Sequence, residues 1–369
     1  MTARSITVGF FSPLPPSPTG VADYSAVLLE ALRKHGRVDV DAERCDVALY
    51  HIGNNHLHRA IYQRALLHPG VTVLHDAVLH HFFLGTLSPD DYASEFVHNY
   101  GEWMRGLATE LWANRARSAA DPRYFEYAMV KRIAETSRAI IVHNPGAAAI
   151  VKRHAPSAHV IEIPHLSIPA SPPDNIETLR LRDTLGIGPR TLLAGVFGHL
   201  RESKRLTVIL RAMERAWSAG ADVKLLVQGE FASSDLKRAT ADLPEHPRIL
   251  RVGYLDEPDF WRYAAATDVC LNLRHPTAGE TSGIAIRMMA IGKPVIFTAG
   301  EEVSRFPEDV CLRVDLGAQE EEMLAGYLVW LATEREAGVE IGRRAMQHIA
   351  EHHAIERVTE QYWDVLRKS

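Results

Sequence analysis

The chain has 369 residues, of which 46% are hydrophobic and 24% charged. This is the make-up of folded globular domains, with length enough for two of them. The formal charge is -5, from 41 basic and 46 acidic side chains. They are interspersed, which leaves no basic field for general nucleic-acid binding.

Residues 6–11 read as a first strand, entered directly from the N-terminus. The apolar run there is too short for a signal peptide and is broken by PLPP. No stretch reaches about 18 uninterrupted apolar residues, so no membrane-spanning helix is expected. The expected location is the cytoplasm, with peripheral contact at the inner face of a membrane left open. After SPLPPSPTG, the residues Val21, Tyr24, Leu28 and Leu32 recur at helical spacing as far as Gly36. Strands are expected at 47–52, 71–74 and 139–143, with helices at 56–67, 89–118, 122–137 and 147–153. Residues 164–176, PHLSIPASPPDNI, are rich in proline and aperiodic, and they mark a linker and hinge. Beyond it the alternation restarts, with strands expected at 192–197, 223–228, 249–252, 269–273, 295–298 and 310–314. This βαβ alternation predicts two α/β domains of Rossmann-like, doubly wound parallel sheet facing across a cleft. The boundaries are 1–170 and 171–354, with a helix in 355–369. Cys45, Cys270 and Cys311 lie far apart in or beside apolar segments. They read as buried free thiols, and no CxxC or HExxH spacing points to a metal.

In open parallel sheets, ligands sit beyond the carboxyl ends of the strands. Four loops there are rich in polar groups. NLRHPTAGETSGIAIRMM runs from a strand into a helix. Gly279 and Gly283 allow close backbone approach, Ser282 is a candidate N-cap, and the free N–H groups of the helix start suit a phosphate. Thr281 lies between them, and Glu280 suits sugar hydroxyls better than phosphate. A capped helix with a solvated glutamate is the plainer alternative. The loop AGVFGHLRESKR supplies Gly198, His199, Arg201, Lys204 and Arg205; Lys204 is a point charge suited to a diphosphate. An ordinary basic loop is the plainer alternative. Gly20 opens a helix that can face the same group. His75 and Asp76 follow the strand 71–74, and Asn54 and Asn55 follow the strand 47–52; these four form a candidate acceptor side. His80 and His81, one turn further on, read as structural. GxGxxG, the usual dinucleotide fingerprint, is missing, and the missing GxxxxGK[ST] argues against a P-loop ATPase.

Over nearly its full length, the chain resembles the retaining glycosyltransferases of family 4, which have the GT-B fold. The segments carrying the resemblance are FFSPLPPSPTGVADYS, HIGNNHLHRAIYQRALLHPGVTVLHDAVLHH and NLRHPTAGETSGIAIRMMAIGKPVI. It implies transfer of a sugar from a nucleotide diphosphate sugar to a hydroxyl of a glycan, a lipid-linked glycan or a small molecule, as in polysaccharide biosynthesis. No divalent metal and no other cofactor is implied. Glu280 and Gly283 match the first Glu and the Gly of the family's EGFG segment. Lys204 matches its diphosphate-binding lysine, Gly20 its first-domain glycine, and His75 its active-site histidine. The last helix, near 356–367, is then expected to return to the first domain.

Two positions depart from the family pattern. His199 stands where the family has a loop arginine, which leaves Arg201 or Arg205 to compensate. Arg287 stands where a second Glu usually holds the ribose, and an arginine there suggests contact with phosphate instead. A non-transferring enzyme on the same fold (an epimerase or phosphorylase) and an inactive sugar-nucleotide-binding module are the alternatives. Base, sugar, acceptor and oligomeric state are not legible in the sequence.

Overall fold

The computed structural model describes residues 6–241 and 246–369. The first sheet contains β1 (Thr7–Phe11), β2 (Arg37–Val40), β3 (Val47–Ile52), β4 (Val71–Leu74), β5 (Ala139–Val142) and β6 (Val160–Glu162) in the order β2-β1-β3-β4-β5-β6. The second contains β7 (Leu192–Val196), β8 (Val223–Gln228), β9 (Ile249–Val252), β10 (Val269–Asn272), β11 (Val295–Thr298) and β12 (Leu312–Val314) in the order β12-β11-β10-β7-β8-β9. Every pairing is parallel.

The central strands are buried on both faces, as in VALYHI, VTVL, AIIV and LLAGV. Helices cover both sides of such a sheet, so its strands read as continuous apolar runs and not as alternation. Each sheet also reverses its direction of growth once. The switch lies between β1 and β3 in the first sheet and between β7 and β10 in the second. A crevice opens at such a point beyond the strand ends. The loops carrying Gly198 and GETSG leave β7 and β10, and therefore flank the second switch.

One face of the first sheet carries an aromatic-rich core with Tyr92, Phe96 and Tyr124. On the other face Val8, Phe10, Leu28 and Leu32 pack with Val358, Tyr362 and Leu366 of the C-terminal helix Ile355–Lys368. Those last three recur every fourth residue and so make one stripe; each fully buried leucine- or valine-sized side chain contributes about 1.5–3 kcal/mol. Tyr24 and Tyr362 hydroxyls meet at 2.9 Å. Any side chain at Gly36 would meet the Trp363 ring at 2.5 Å, so the helix seats against a residue with no Cβ.

Several local expectations are corrected. β2 and β6 are short, part-exposed strands, RVDV and VIE, too brief and too polar to stand out as apolar runs. The stretches 89–118 and 122–137 are not continuous helices. They break into Pro89–Tyr100, Arg105–Ala113, Arg123–Glu126 and Lys131–Thr136. Gly101 ends the first of these at φ 93, a left-handed conformation that a helix cannot continue through. The last strand is Leu312–Val314, and Val310 and Cys311 before it are buried loop residues.

Candidate functional site

A cavity of about 500 Å³ lies between the two sheets' carboxyl edges. The first domain contributes Gly20, Tyr24, Asn54, Asn55, His75, Asp76, His81, His143 and His165, and the second Arg201, Glu202, Ser203, Ala278, Glu280, Thr281 and Gly283.

The GETSG loop forms one wall. Gly279 has φ +75, and a Cβ there would come within 2.9 Å of the Ala77 Cβ, so both conformation and space demand glycine. Ser282 caps the helix Gly283–Ala290, its Oγ accepting from Ala285 N at 3.3 Å. Glu280 is not a freely solvated carboxylate. Its Oε2 accepts from Ala278 N at 2.8 Å and Thr277 Oγ1 at 3.2 Å, and its Oε1 lies 3.1 Å from Nη1 of Arg274.

The same loop is fastened to the first domain. Ala278 O accepts from the backbone N of Ala77 (2.7 Å) and of Val78 (3.0 Å). Asn144 Nδ2 donates to Gly279 O at 3.0 Å and to Thr281 Oγ1 at 2.9 Å. Its Oδ1 accepts from Ala147 N at 2.8 Å and so caps the helix Pro145–His154.

In the loop after β7, Gly198 has φ +82 and lies against Ile284 and the Lys204 Nζ. Lys204 is 7% exposed, and its Nζ donates to Phe197 O. Burial, reinforced by the nearby Arg274 charge, holds its pKa well below the ordinary lysine range. Arg201 lines the cavity. Arg205 does not: its guanidinium pairs with Glu320, a carboxylate only 3% exposed that needs a counter-charge. His199 is exposed on the loop and is also not part of the cavity lining.

Arg287 is likewise absent from the main cavity. It lies over the Phe260 and Trp261 rings, 4.3 and 4.5 Å from their centroids, and donates to Glu257 at 2.7 Å. With Asp23, Gly20 and His165 it lines a smaller recess of about 200 Å³ at the domain boundary. The guanidinium is therefore committed to aromatic faces and a carboxylate, where a phosphate contact was expected.

Asn54 and Asn55 are also engaged locally. Asn54 Oδ1 accepts from Phe82 N at 2.7 Å, and Asn55 Oδ1 from Leu57 N at 3.0 Å. Asp76 Oδ2 accepts from Asn54 N at 2.8 Å. Burial, then the Glu280 charge, push the Asp76 carboxyl up to about 6, against the opposing pull of that hydrogen bond, Arg201 and Arg274.

His75 belongs to a cluster of rings. Its centroid is 5.3 Å from that of His51, 5.2 Å from His143 and 5.0 Å from Tyr24. His165 stands 5.3 Å from His143 and 4.6 Å from Tyr24. Burial depresses His51 and His75 well below the usual histidine range, and takes His143 to about 4 and His165 to about 3. The rings are therefore neutral near pH 7. Among the described residues, no group of three or more His, Cys, Asp or Glu side chains is arranged to hold a metal ion.

Arg274, Asn144, His143, His165 and His51 escaped the sequence reading, and His81, read there as structural, lines the cavity. One signal was available. His75, His143 and His165 each follow closely on a strand, β4, β5 or β6, so the strand-end rule that selected His75 applies to all three.

A family model described as "Glycosyl transferases group 1" matches residues 190–332, within the second domain. No curated protein matches the sequence. Among solved structures, HepE from Anabaena in complex with UDP-glucose is similar at TM-score 0.68 and 14% identity, covering 99% of this chain and 100% of that one. Sucrose-phosphate synthase from Thermosynechococcus elongatus is similar at TM-score 0.67 and 16% identity, covering 99% of each chain. WaaG, a glycosyltransferase involved in lipopolysaccharide biosynthesis, gives TM-score 0.64 and 15% identity over 97% of this chain and 99% of that one. The architecture of two facing Rossmann-like domains is thus the GT-B fold.

Proposed function

We propose that this chain is a glycosyltransferase that moves a sugar from a nucleotide diphosphate sugar to an acceptor hydroxyl with retention of anomeric configuration. The observation that carries the reading is the convergence of GETSG, Arg201, Gly20, His75 and Asp76 on one cavity at the switch points of two facing sheets. The family match over the second domain and the UDP-glucose held by HepE, a similar structure, support a nucleotide-sugar donor.

The chemistry asks for stabilisation of a departing diphosphate and of positive charge on the sugar. The cationic side of the cleft offers Arg201 and, behind the loop wall, Lys204 and Arg274. The departure from the family pattern at His199 gains a physical account. Arg205 is neutralised by Glu320, which leaves Arg201, on the cavity lining, and Arg274, paired with Glu280 and 3.4 Å from Ser282 Oγ, as the cations that accompany Lys204. The N-terminal turns of Gly20–Arg33 and Gly283–Ala290 add backbone N–H groups on opposite sides of the cavity. Glu280 and Asp76 supply acceptors for sugar hydroxyls, and His75 stands on the acceptor side. The acceptor belongs to the class of glycans, lipid-linked glycans or small hydroxyl compounds.

The test is incubation of the purified full chain with a panel of nucleotide diphosphate sugars and hydroxyl acceptors, with product detected by mass and its anomeric configuration by proton NMR. Transfer with retention supports the reading. An inverted product removes the retaining assignment. Product from donor alone, or with inorganic phosphate in place of an acceptor, replaces transfer by epimerisation or phosphorolysis.

A further inference from the structure

His75 and His51 share a single hydrogen bond, His51 Nδ1 to His75 Nε2, at 3.0 Å. His51 lies in β3 and has no exposed surface, while His75 follows β4, the neighbouring strand. With both rings neutral, only one of the two facing nitrogens carries the proton, and the choice fixes the tautomer of each ring.

The surrounding imidazoles indicate which. His58 Nδ1 lies 2.9 Å from His51 O, His143 Nδ1 lies 3.0 Å from Ile163 O, and His165 Nδ1 lies 2.7 Å from Leu166 O. A carbonyl only accepts, so each of these rings holds its proton on Nδ1 and has a bare Nε2. The Nε2 atoms of His58 and His143 are buried without partners among the described residues. A buried lone pair with no donor is better tolerated than a buried N–H with no acceptor. The Nε2 of His51 is in the same condition, buried and unpartnered among the described residues. A proton there would be an orphaned donor on a buried ring whose centroid lies 4.9 Å from that of Phe10 and 6.1 Å from that of Tyr24. The proton therefore resides on His51 Nδ1 and is donated to His75 Nε2. His75 must then keep its own proton on Nδ1, the ring nitrogen with no bond to the described residues, on a ring that lines the cavity.

We propose that His51 is a positioning residue that locks His75 in its Nδ1–H tautomer, so that His75 meets the cleft ligand as a hydrogen-bond donor and never as a general base. The only ring lone pair of His75 is occupied by His51, so His75 is not the group that takes the acceptor's proton. His165 has a bare Nε2 and lines the same cavity, its ring centroid 4.6 Å from that of Tyr24. A donor and an acceptor lining one cavity suit ligand hydroxyl groups, which both donate and accept. The tautomer stands independently of the activity; only its kinetic consequence rests on the glycosyltransferase reading.

The test uses the full chain labelled with ¹⁵N-histidine, free of ligand, with His75 signals assigned through their loss in His75→Gln. The expected wild-type spectrum has a pyrrole-type Nδ1 and a pyridine-type Nε2 for His75. The opposite assignment overturns the proposal, and this holds even if no variant folds. His51→Phe keeps the ring volume and removes the donor, so His75 should then populate both tautomers. His51→Asn places an amide N–H near the lost Nδ1 and should restore the single tautomer. Sugar transfer should follow, with kcat down about tenfold in His51→Phe and largely recovered in His51→Asn, donor KM staying within about twofold. A His51→Phe protein that keeps the single Nδ1–H signature defeats the lock. A wild type that shows the expected tautomer but transfers no sugar defeats the function alone.

Discussion

Asn144 Nδ2, at the end of the first domain's β5, donates to Thr281 Oγ1 of the second domain at 2.9 Å. The same nitrogen reaches Gly279 O, so one amide clamps both sides of Glu280 across the cleft. Meanwhile its Oδ1 caps the helix Pro145–His154. The two ends of this side chain can be tested apart. Asn144→Asp keeps the capping oxygen and loses the donors, whereas Asn144→Ala loses both. The alanine protein should be less stable by about 1–3 kcal/mol. The aspartate protein should keep most of the cap's contribution, yet bind donor as poorly as the alanine protein. Thermal unfolding with donor-binding calorimetry decides, and a fully stable aspartate variant with normal donor affinity would show that the clamp is incidental.

Lys204→Met retains the aliphatic stem and removes a buried charge. Transfer should fall by about 10²–10³-fold in kcat/KM if the ammonium stabilises the leaving diphosphate. Stability should hold or rise, because among the described residues the lysine's one partner is a neutral carbonyl, and the desolvation of its charge is relieved. Kinetics with the true donor are the check. An unchanged kcat/KM takes Lys204 out of the reaction.

Glu280→Gln keeps an acceptor for Ala278 N–H but leaves Arg274 without its counter-charge. Activity should drop strongly. Unfolding should shift by no more than about 1 kcal/mol, since both side chains are roughly a fifth exposed, at 21% and 23%, and solvent screens the pair. Paired measurements on Glu280→Gln, Arg274→Met and the double variant separate the two roles. If unfolding in Glu280→Gln worsens as much as transfer does, the carboxylate serves the loop and not the sugar.

Asp76 gives a pH prediction with a definite sign. Its carboxyl titrates at about 6 in the folded protein, against 3.8 for the free side chain. Between those values the folded state binds more protons than the unfolded one. The stability it contributes is therefore complete below 3.8 and is lost as pH rises through 6, by up to about 3 kcal/mol. Asp76→Asn cannot ionise and should gain on the wild type at pH 8 relative to pH 4. Urea unfolding of both proteins at the two pH values measures this directly, and an equal difference at both would refute it.

Much of the architecture is local information. Runs such as VALYHI and AIIV are apolar throughout because helices cover both faces of a parallel sheet, and the interleaved helical periodicity then implies two doubly wound domains. The loops that leave β7 and β10, with their glycines and the Ser282 cap, were legible for the same reason: turn chemistry and capping depend on residues a few positions apart. Partnerships made only in the folded chain were not legible. Arg205 and Glu320 lie 115 positions apart, and nothing near Arg205 announces that a buried carboxylate will claim it. Arg287 faces Phe260 and Trp261 only because two helices pack together, and Arg274 reaches Glu280 only through the fold of the loop. His51 sits in a strand that reads as uniformly core, and its pairing with His75 appears only when β3 and β4 come into register. The sequence by itself determined the apolar strands, their covered faces and the ends where polar groups gather, but not the short polar strands β2 and β6. The tertiary structure alone decided which of those groups meet, because charge pairing, ring stacking and tautomer depend on distances in space that spacing along the chain does not encode.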